Sequence, residues 1–154
     1  MQDSLKSVKQ VWQKLQALSA TDLRLLGHTA MLMAAIRLGL WLLPFQTLRR
    51  WLSKRYPLGQ RRQSSSAAVI QKVVWAVEVV SWRMPGGVLC LARALTTQAL
   101  LRRHGCDCEL RIGVAKSAAG ALEAHAWVEH QGRVIIGGMP GFSRFHPLPS
   151  LEGK

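Results

Sequence analysis

Apolar residues in the first half of the chain recur at intervals of three and four positions, which is the period of an amphipathic helix. This spacing predicts helices over residues 4–18 and 45–54, and a further helix is predicted over residues 21–43, between a capping motif and a proline. Ser19 has the position of an N-cap, and Asp22 stands where a capping box usually has glutamate. Pro44 ends the second helix, because the residue before a proline avoids the helical region.

The same period returns over residues 67–82 and again from Cys90 to the turn at Gly105. Beyond that turn apolar and polar residues alternate, which is typical of strands with one buried face. The alternation predicts strands over residues 108–114, 124–129 and 134–136. Helices followed by a small antiparallel sheet predict an α+β fold.

Composition divides the chain into a helical N-terminal region, a basic linker, a core and a short tail. These parts cover residues 1–56, 57–66, 67–148 and 149–154. The linker reads PLGQRRQSSS, and such clusters of proline, glycine and serine are typical of loops. A length of 154 residues without an internal repeat predicts about one domain.

Residues 25–45 form the most apolar segment of the chain. A membrane-spanning helix needs about 20 predominantly apolar residues. Here His28 and Arg37 interrupt the run and Pro44 closes it, which favours a buried or interfacial helix over a membrane span. Three cysteines and the lack of a signal-peptide pattern predict a cytoplasmic protein. The interruptions of the apolar run argue against association with a membrane.

The charge of the chain favours acidic partners. The formal net charge is +13, from 21 Lys and Arg against 8 Asp and Glu. Nucleic acid, an anionic membrane surface and an acidic peptide or protein would all suit this balance. No known nucleic-acid motif is present and the chain has only one Tyr and three Phe, so nucleic acid is not the expected partner.

Six cations and no anion occupy residues 49–62. They are Arg49, Arg50, Lys54, Arg55, Arg61 and Arg62. The stretch is either a solvated basic face or a docking patch for an acidic peptide or protein. The candidate contacts to a substrate or partner are Arg49, Arg50, Arg61, Arg62 and Trp127.

Cys90 and His125 are the residues with the clearest chemical potential. Cys90 starts a helix after a Pro-Gly-Gly sequence, where the helix dipole stabilises a thiolate. His125 lies on a strand, on the face opposite Ala126 and Val128. Each has an ordinary structural interpretation, as a buried apolar cysteine or as a packed histidine. Together they match the arrangement of papain-like thiol enzymes, in which a histidine activates a cysteine.

Cys106 and Cys108 form a C-x-C pair with His104 nearby. A structural metal site generally needs four ligands. The sequence therefore predicts core or strand cysteines, with no metal and no cofactor.

Four motifs together resemble the lasso peptide leader peptidases, which belong to the transglutaminase-like cysteine protease superfamily. They are CLARAL at residues 90–95, LLRRHG at 100–105, LRIGV at 110–114 and HAWVE at 125–129. The resemblance covers about residues 67–148, and LSATDLR at 18–24 extends it. HAWVE alone is specific only to the superfamily.

The resemblance implies a transglutaminase-like core in which Cys90 is the nucleophile and His125 the general base. It implies removal of the leader from a ribosomally made precursor peptide. It also implies two partners, a leader-recognition protein and an ATP-dependent lasso cyclase related to asparagine synthetases. The first 60 residues are predicted to be helical rather than strand-rich, so the chain resembles the stand-alone protease, which acts with a separate recognition protein.

One departure from the family pattern concerns the third catalytic residue. The family has an aspartate on the strand after the histidine, but residues 133–138 contain no carboxylate. Glu123 is the candidate replacement, since it lies roughly 6.6 Å from His125 on the same strand face. Asp107, Glu109 or a backbone carbonyl are the alternatives. An inactive binding module for the precursor or cyclase, and an acyl-transferring enzyme, stay open as alternative functions.

Overall fold

The structure is a computed structural model that describes residues 19–57, 67–84, 90–138 and 141–149. Several sequence predictions lie outside the described residues. These are the helix at residues 4–18, most of the linker with Arg61 and Arg62, the Pro-Gly-Gly before Cys90, and most of the tail.

The described residues form four helices and one four-stranded sheet, which confirms the α+β fold. The helices are α1 (Ala20–Leu42), α2 (Phe45–Arg55), α3 (Ala67–Arg83) and α4 (Cys90–Arg103). The strands are β1 (Glu109–Lys116), β2 (Leu122–His130), β3 (Arg133–Ile136) and β4 (His146–Pro147). A 3₁₀ turn, Phe142–Arg144, precedes β4. The alternation pattern did not predict the strand β4.

The start of α1 has the predicted capping box. The Ser19 side chain accepts from the first turn, and the Ser19 backbone N–H donates to Asp22 Oδ2 at 3.2 Å. Asp22 also forms an ion pair of 2.7 Å with Lys72 of α3. The hydrogen bond from Lys72 lowers the pKa of the Asp22 carboxyl. One residue therefore caps α1 and joins it to α3.

The main core lies between the helices and one face of the sheet. Every residue of α4 from 94 to 101 is buried, so α4 is the central helix. The hydroxyls of Thr96 and Thr97 lie inside this core and donate to backbone carbonyls one turn earlier, at 2.7 and 2.9 Å. Buried hydroxyls are stable there because each has an acceptor.

The sheet has the order β3-β2-β1-β4, with antiparallel pairs throughout. Leu110, Ala126 and Val128 belong to the core shared with the helices. Trp127 and Phe145 pack together in a second, smaller cluster. Because neighbouring strand residues point to opposite faces, this second cluster marks the face turned away from the helices.

The helix α1 is long and apolar enough to span a membrane by length and composition, and only 28% of its apolar window is buried. No other described helix meets that test. Core helices of soluble proteins also meet this test of length and composition. Five of its 23 residues are buried, and they lie on one stripe against the other helices: Thr29, Leu32, Met33, Ile36 and Gly39. Met31 and Trp41 on the remaining surface are 76% and 83% exposed.

Candidate active site

Cys90 is the first residue of α4, as the sequence predicts. Its side chain is half-buried and packs against the main core. The first backbone N–H groups of a helix have no acceptor within the helix. The start of α4 therefore offers hydrogen-bond donors and a positive dipole end beside the Cys90 thiol.

His125 lies on β2 opposite Gly113 of β1. Its ring stacks on Trp127 with centroids 6.4 Å apart, and lies 5.4 Å from the ring of Phe145. The missing side chain at Gly113 makes room for the indole, because a Cβ there would lie 2.7 Å from Trp127 Cη2. The aromatic rings hold the imidazole on the sheet face that the strand alternation predicts.

One hydrogen bond indicates which ring nitrogen of His125 carries the hydrogen. Its Nε2 lies 2.6 Å from the backbone oxygen of Gly137. A carbonyl oxygen can only accept, so Nε2 carries the hydrogen and Nδ1 of the neutral ring has the free lone pair. Gly137 belongs to the stretch 133–138, which has no carboxylate. A backbone carbonyl was one of the predicted alternatives to a carboxylate beside the His125 ring.

The backbone at Gly137 requires glycine. Its φ is +91°, and an added Cβ would lie 2.8 Å from Trp127 Cβ and 2.9 Å from the oxygen of Ala126. The chain thus comes very close to β2 at this point. That close approach brings the Gly137 carbonyl to His125.

Two of the carboxylates proposed as a third catalytic residue, Glu123 and Glu109, form ion pairs with arginines. Glu123 forms an ion pair with Arg144 at 2.6 Å. Glu109 lies opposite Glu129 in the sheet, four residues along β2 from His125, and pairs with Arg111 at 2.8 Å. Among the described residues, the hydrogen-bond partner of His125 is Gly137. The structure thus shows a backbone carbonyl beside the imidazole, and the role of Glu123 as the third catalytic residue stays a prediction.

The structure places the thiol and the imidazole in different packing environments. Cys90 packs against the helix-facing core, whereas His125 contacts the aromatic rings on the other face. Between residues 90 and 138, all of which are described, no hydrogen bond joins Cys90 to His125. The nucleophile pair therefore stays a prediction.

The remaining predicted contact residues have different surroundings. Trp127 is 2% exposed and donates its Nε1 hydrogen to Glu129 at 2.7 Å, so it packs inside the protein and is not available as a surface contact. Arg50 is exposed on α2, and Arg49 lines a small cavity with Arg102. Of the four predicted arginines, only these two are described.

Cys106 and Cys108 are both 1% exposed and belong to the main core. Within the described ranges, no group of three or more His, Cys, Asp and Glu could hold a metal ion. The two residues thus act as core residues at the entry to β1.

Gly137 and Phe145 both contact His125, but neither was predicted from the sequence as a site residue. The glycine pair at 137–138 was the available signal for a special backbone conformation after β3. The approach of Phe145 depends on the chain returning beside β1 as β4, which no local pattern indicated.

A family model described as the transglutaminase-like superfamily matches residues 30–150. Neither the curated proteins nor the solved structures yielded a match.

Proposed function

The chain belongs to the transglutaminase-like superfamily, and from that premise we propose that it is a cysteine peptidase. The proposed substrate is a ribosomally made lasso precursor, from which the enzyme removes the leader. The proposed partners are a separate leader-recognition protein and a lasso cyclase. Superfamily membership supports the chemistry, and the four motifs shared with leader peptidases support the substrate.

The proposed reaction requires the Cys90 thiol and the His125 imidazole, which occupy different packing environments in this structure, to come within hydrogen-bond distance of each other. Nδ1 of His125 then takes the proton of the thiol. The thiolate attacks the scissile carbonyl, and the Cys90 backbone N–H donates to the oxyanion. The imidazolium returns its proton to the leaving amine, which gives an acyl-enzyme. Water, deprotonated by His125, then hydrolyses the thioester and regenerates the thiol.

The observation that carries the proposal is the Nε2 hydrogen bond from His125 to Gly137. This bond supports the tautomer in which Nδ1 has the free lone pair and can act as the base. An aspartate would fix the same tautomer and would also stabilise the imidazolium, because hydrogen bonds to ionised groups are about twice as strong as neutral ones. A carbonyl therefore supports a slower enzyme with the same residue roles.

A catalytically inactive binding module is the second candidate. The observation in its favour is the lack of a hydrogen bond between Cys90 and His125 in residues 90–138. Such a module would bind the precursor or the cyclase and would leave the peptide intact.

The test is cleavage of a lasso precursor by the purified protein with its recognition protein, followed by mass spectrometry. We expect Cys90→Ala and His125→Gln to lower the rate at least about a thousandfold, because nucleophile and base act as a unit. His146→Gln, which removes an exposed imidazole on β4, should retain the rate. Cleavage by Cys90→Ala would overturn the mechanism.

Alkylation of the thiols separates the two candidates without a substrate. For an enzyme, iodoacetamide should modify Cys90 faster than the buried Cys106 and Cys108, and His125→Gln should slow that reaction at neutral pH. Equal rates with and without the imidazole, combined with peptide binding but no cleavage, would favour the binding module. An amine-linked product in place of the hydrolysed peptide would indicate acyl transfer.

A further inference from the structure

A pocket lined by cationic side chains lies at the end of α4 opposite to Cys90. We call it the basic pocket. Arg103 closes α4, Arg55 and Tyr56 come from the end of α2, and His28 comes from α1. With Pro57, these residues line an open pocket of about 430 Å³. Three helices therefore contribute to one concave surface.

Arg103 organises the basic pocket. Its Nη1 donates to His28 Nε2 at 2.9 Å, and a guanidinium can only donate, so the ring accepts at that nitrogen. Burial and the charge of Arg103 both lower the pKa of His28. The same two causes lower the pKa of His104, the neighbour of Arg103. Both rings are thus neutral at pH 7, and the charge of the pocket comes from Arg55 and Arg103.

Neither Arg55 nor Arg103 has a carboxylate partner among the described residues. Four of the described acids, Asp22, Glu109, Glu123 and Glu129, form ion pairs with other cations, and no ion pair joins an acid to Arg55 or Arg103 within the described ranges. Two guanidinium groups beside one concave surface attract anions, and their planar donor groups fit a carboxylate in a bidentate geometry. The chemistry of the pocket therefore selects a carboxylate or a similarly shaped anion.

The position of the basic pocket relates it to the proposed reaction. Cys90 and Arg103 are the first and last of the 14 residues of α4. At about 1.5 Å per residue, they lie about 20 Å apart along the helix. An extended peptide advances about 3.3 Å per residue. At least six residues are therefore needed to connect the two ends.

We propose that the basic pocket is an exosite, a binding site away from the nucleophile, that holds an acidic side chain of the peptide substrate. The carboxylate pairs with Arg55 and Arg103, while the scissile bond lies six or more residues away at Cys90. This inference rests on the proposed peptidase function for the identity of the peptide. Its binding chemistry can be tested without cleavage.

The first test measures binding of fluorescein-labelled hexaglutamate by anisotropy at low salt, with hexaglutamine as the uncharged probe. We expect the double variant Arg55→Gln/Arg103→Gln to weaken hexaglutamate binding at least about tenfold, since two charge-assisted contacts are lost. A control double variant, Arg83→Gln/Arg133→Gln, removes the same net charge from exposed positions on α3 and β3. It should bind hexaglutamate within about twofold of the unchanged protein.

Equal losses in the two double variants would overturn the exosite, because the attraction would then be that of the net charge alone. Preference for inorganic phosphate over hexaglutamate in competition would also overturn it. The single variant Arg55→Gln keeps the Arg103–His28 hydrogen bond, so it is the control for misfolding of the double variant. It should weaken binding several-fold with an unchanged thermal unfolding temperature.

A second test separates failure of the exosite from failure of the proposed function. Cys90→Ala should bind hexaglutamate like the unchanged protein, whether or not the protein is a peptidase. With a lasso precursor as substrate, loss of Arg55 should raise KM and leave kcat nearly unchanged. A fall in kcat with unchanged KM would overturn the exosite and leave the peptidase intact.

Discussion

The Gly137 carbonyl orients the imidazole of His125 but places no negative charge beside it. The Gly137 carbonyl holds Nε2 at 2.6 Å, and Trp127 and Phe145 restrict the ring. A carboxylate in the same place would add a full negative charge near the imidazole. The close approach of Gly137 to β2 leaves no room for the side chain that would supply it.

Alanine substitutions at Gly137 and Gly138, the two glycines after β3, test whether the backbone at Gly137 requires glycine. Gly137→Ala should lower the free energy of unfolding by about 1–3 kcal/mol, because alanine is strained at positive φ and its Cβ would meet the backbone of β2. Gly138→Ala should have little effect, since the nearest atom to its Cβ is Val134 Cγ1 at 3.8 Å. Urea denaturation measures both. Equal stabilities would mean that the Gly137 carbonyl is not fixed by this geometry.

At the scale of elements, α1 shows how tertiary contacts select among apolar residues. Apolar side chains surround nearly the whole helix, so its composition does not define a single buried face. The buried stripe is set by the neighbours of α1. Gly39 illustrates this, since an added Cβ would lie 2.8 Å from Leu48 Cδ1 of α2.

Two glycines within α1 should respond oppositely to alanine. Gly27 has no atom within 4 Å of an added Cβ, so Gly27→Ala should raise the free energy of unfolding by the helix propensity difference, about 0.5–1 kcal/mol. Gly39→Ala gains the same propensity but crowds the buried Leu48, and overpacking costs about 1–3 kcal/mol. Thermal unfolding compares the two. Stabilisation by Gly39→Ala equal to that by Gly27→Ala would contradict the packing of α1 on α2.

At the scale of the whole molecule, an excess of positive charge accumulates where the ends of α2 and α4 meet α1. Arg55 and Arg103 face His28 there, and His104 follows in the next position. Burial lowers the pKa of both histidines in the folded protein. The unfolded chain, with a pKa near 6.5, binds protons more readily below that pH.

Stability should therefore decrease as the pH falls from about 6.5 through the lower folded pKa values of His28 and His104. The contribution of the two rings is complete above about pH 6.5 and is lost in acid. We expect the urea midpoint to fall between about pH 7.5 and pH 5.5 by a larger amount in the unchanged protein than in His28→Gln/His104→Gln. His146→Gln serves as the control. Identical pH dependence in the double variant and the unchanged protein would contradict this linkage.

The sequence by itself determined the local features of this protein. The period of apolar residues was sufficient to predict α2, α3, α4 and the strands β1 to β3, whereas the cap formed by Ser19 and Asp22 and the stop at Pro44 predicted α1. Cys90 was likewise predicted at the start of α4 and His125 on the outer face of β2. These features depend on residues a few positions apart, and their energies are set by backbone geometry and solvent exposure.

Tertiary structure decided which distant groups meet. The His125 acceptor lies twelve residues further along the chain, and the Arg103–His28 hydrogen bond joins residues 75 positions apart. Neither contact follows from a local pattern, because each depends on strand register or on how the helices pack. Tertiary contacts also place Glu123 beside Arg144 and bury Trp127, and no local pattern in the sequence indicates either contact.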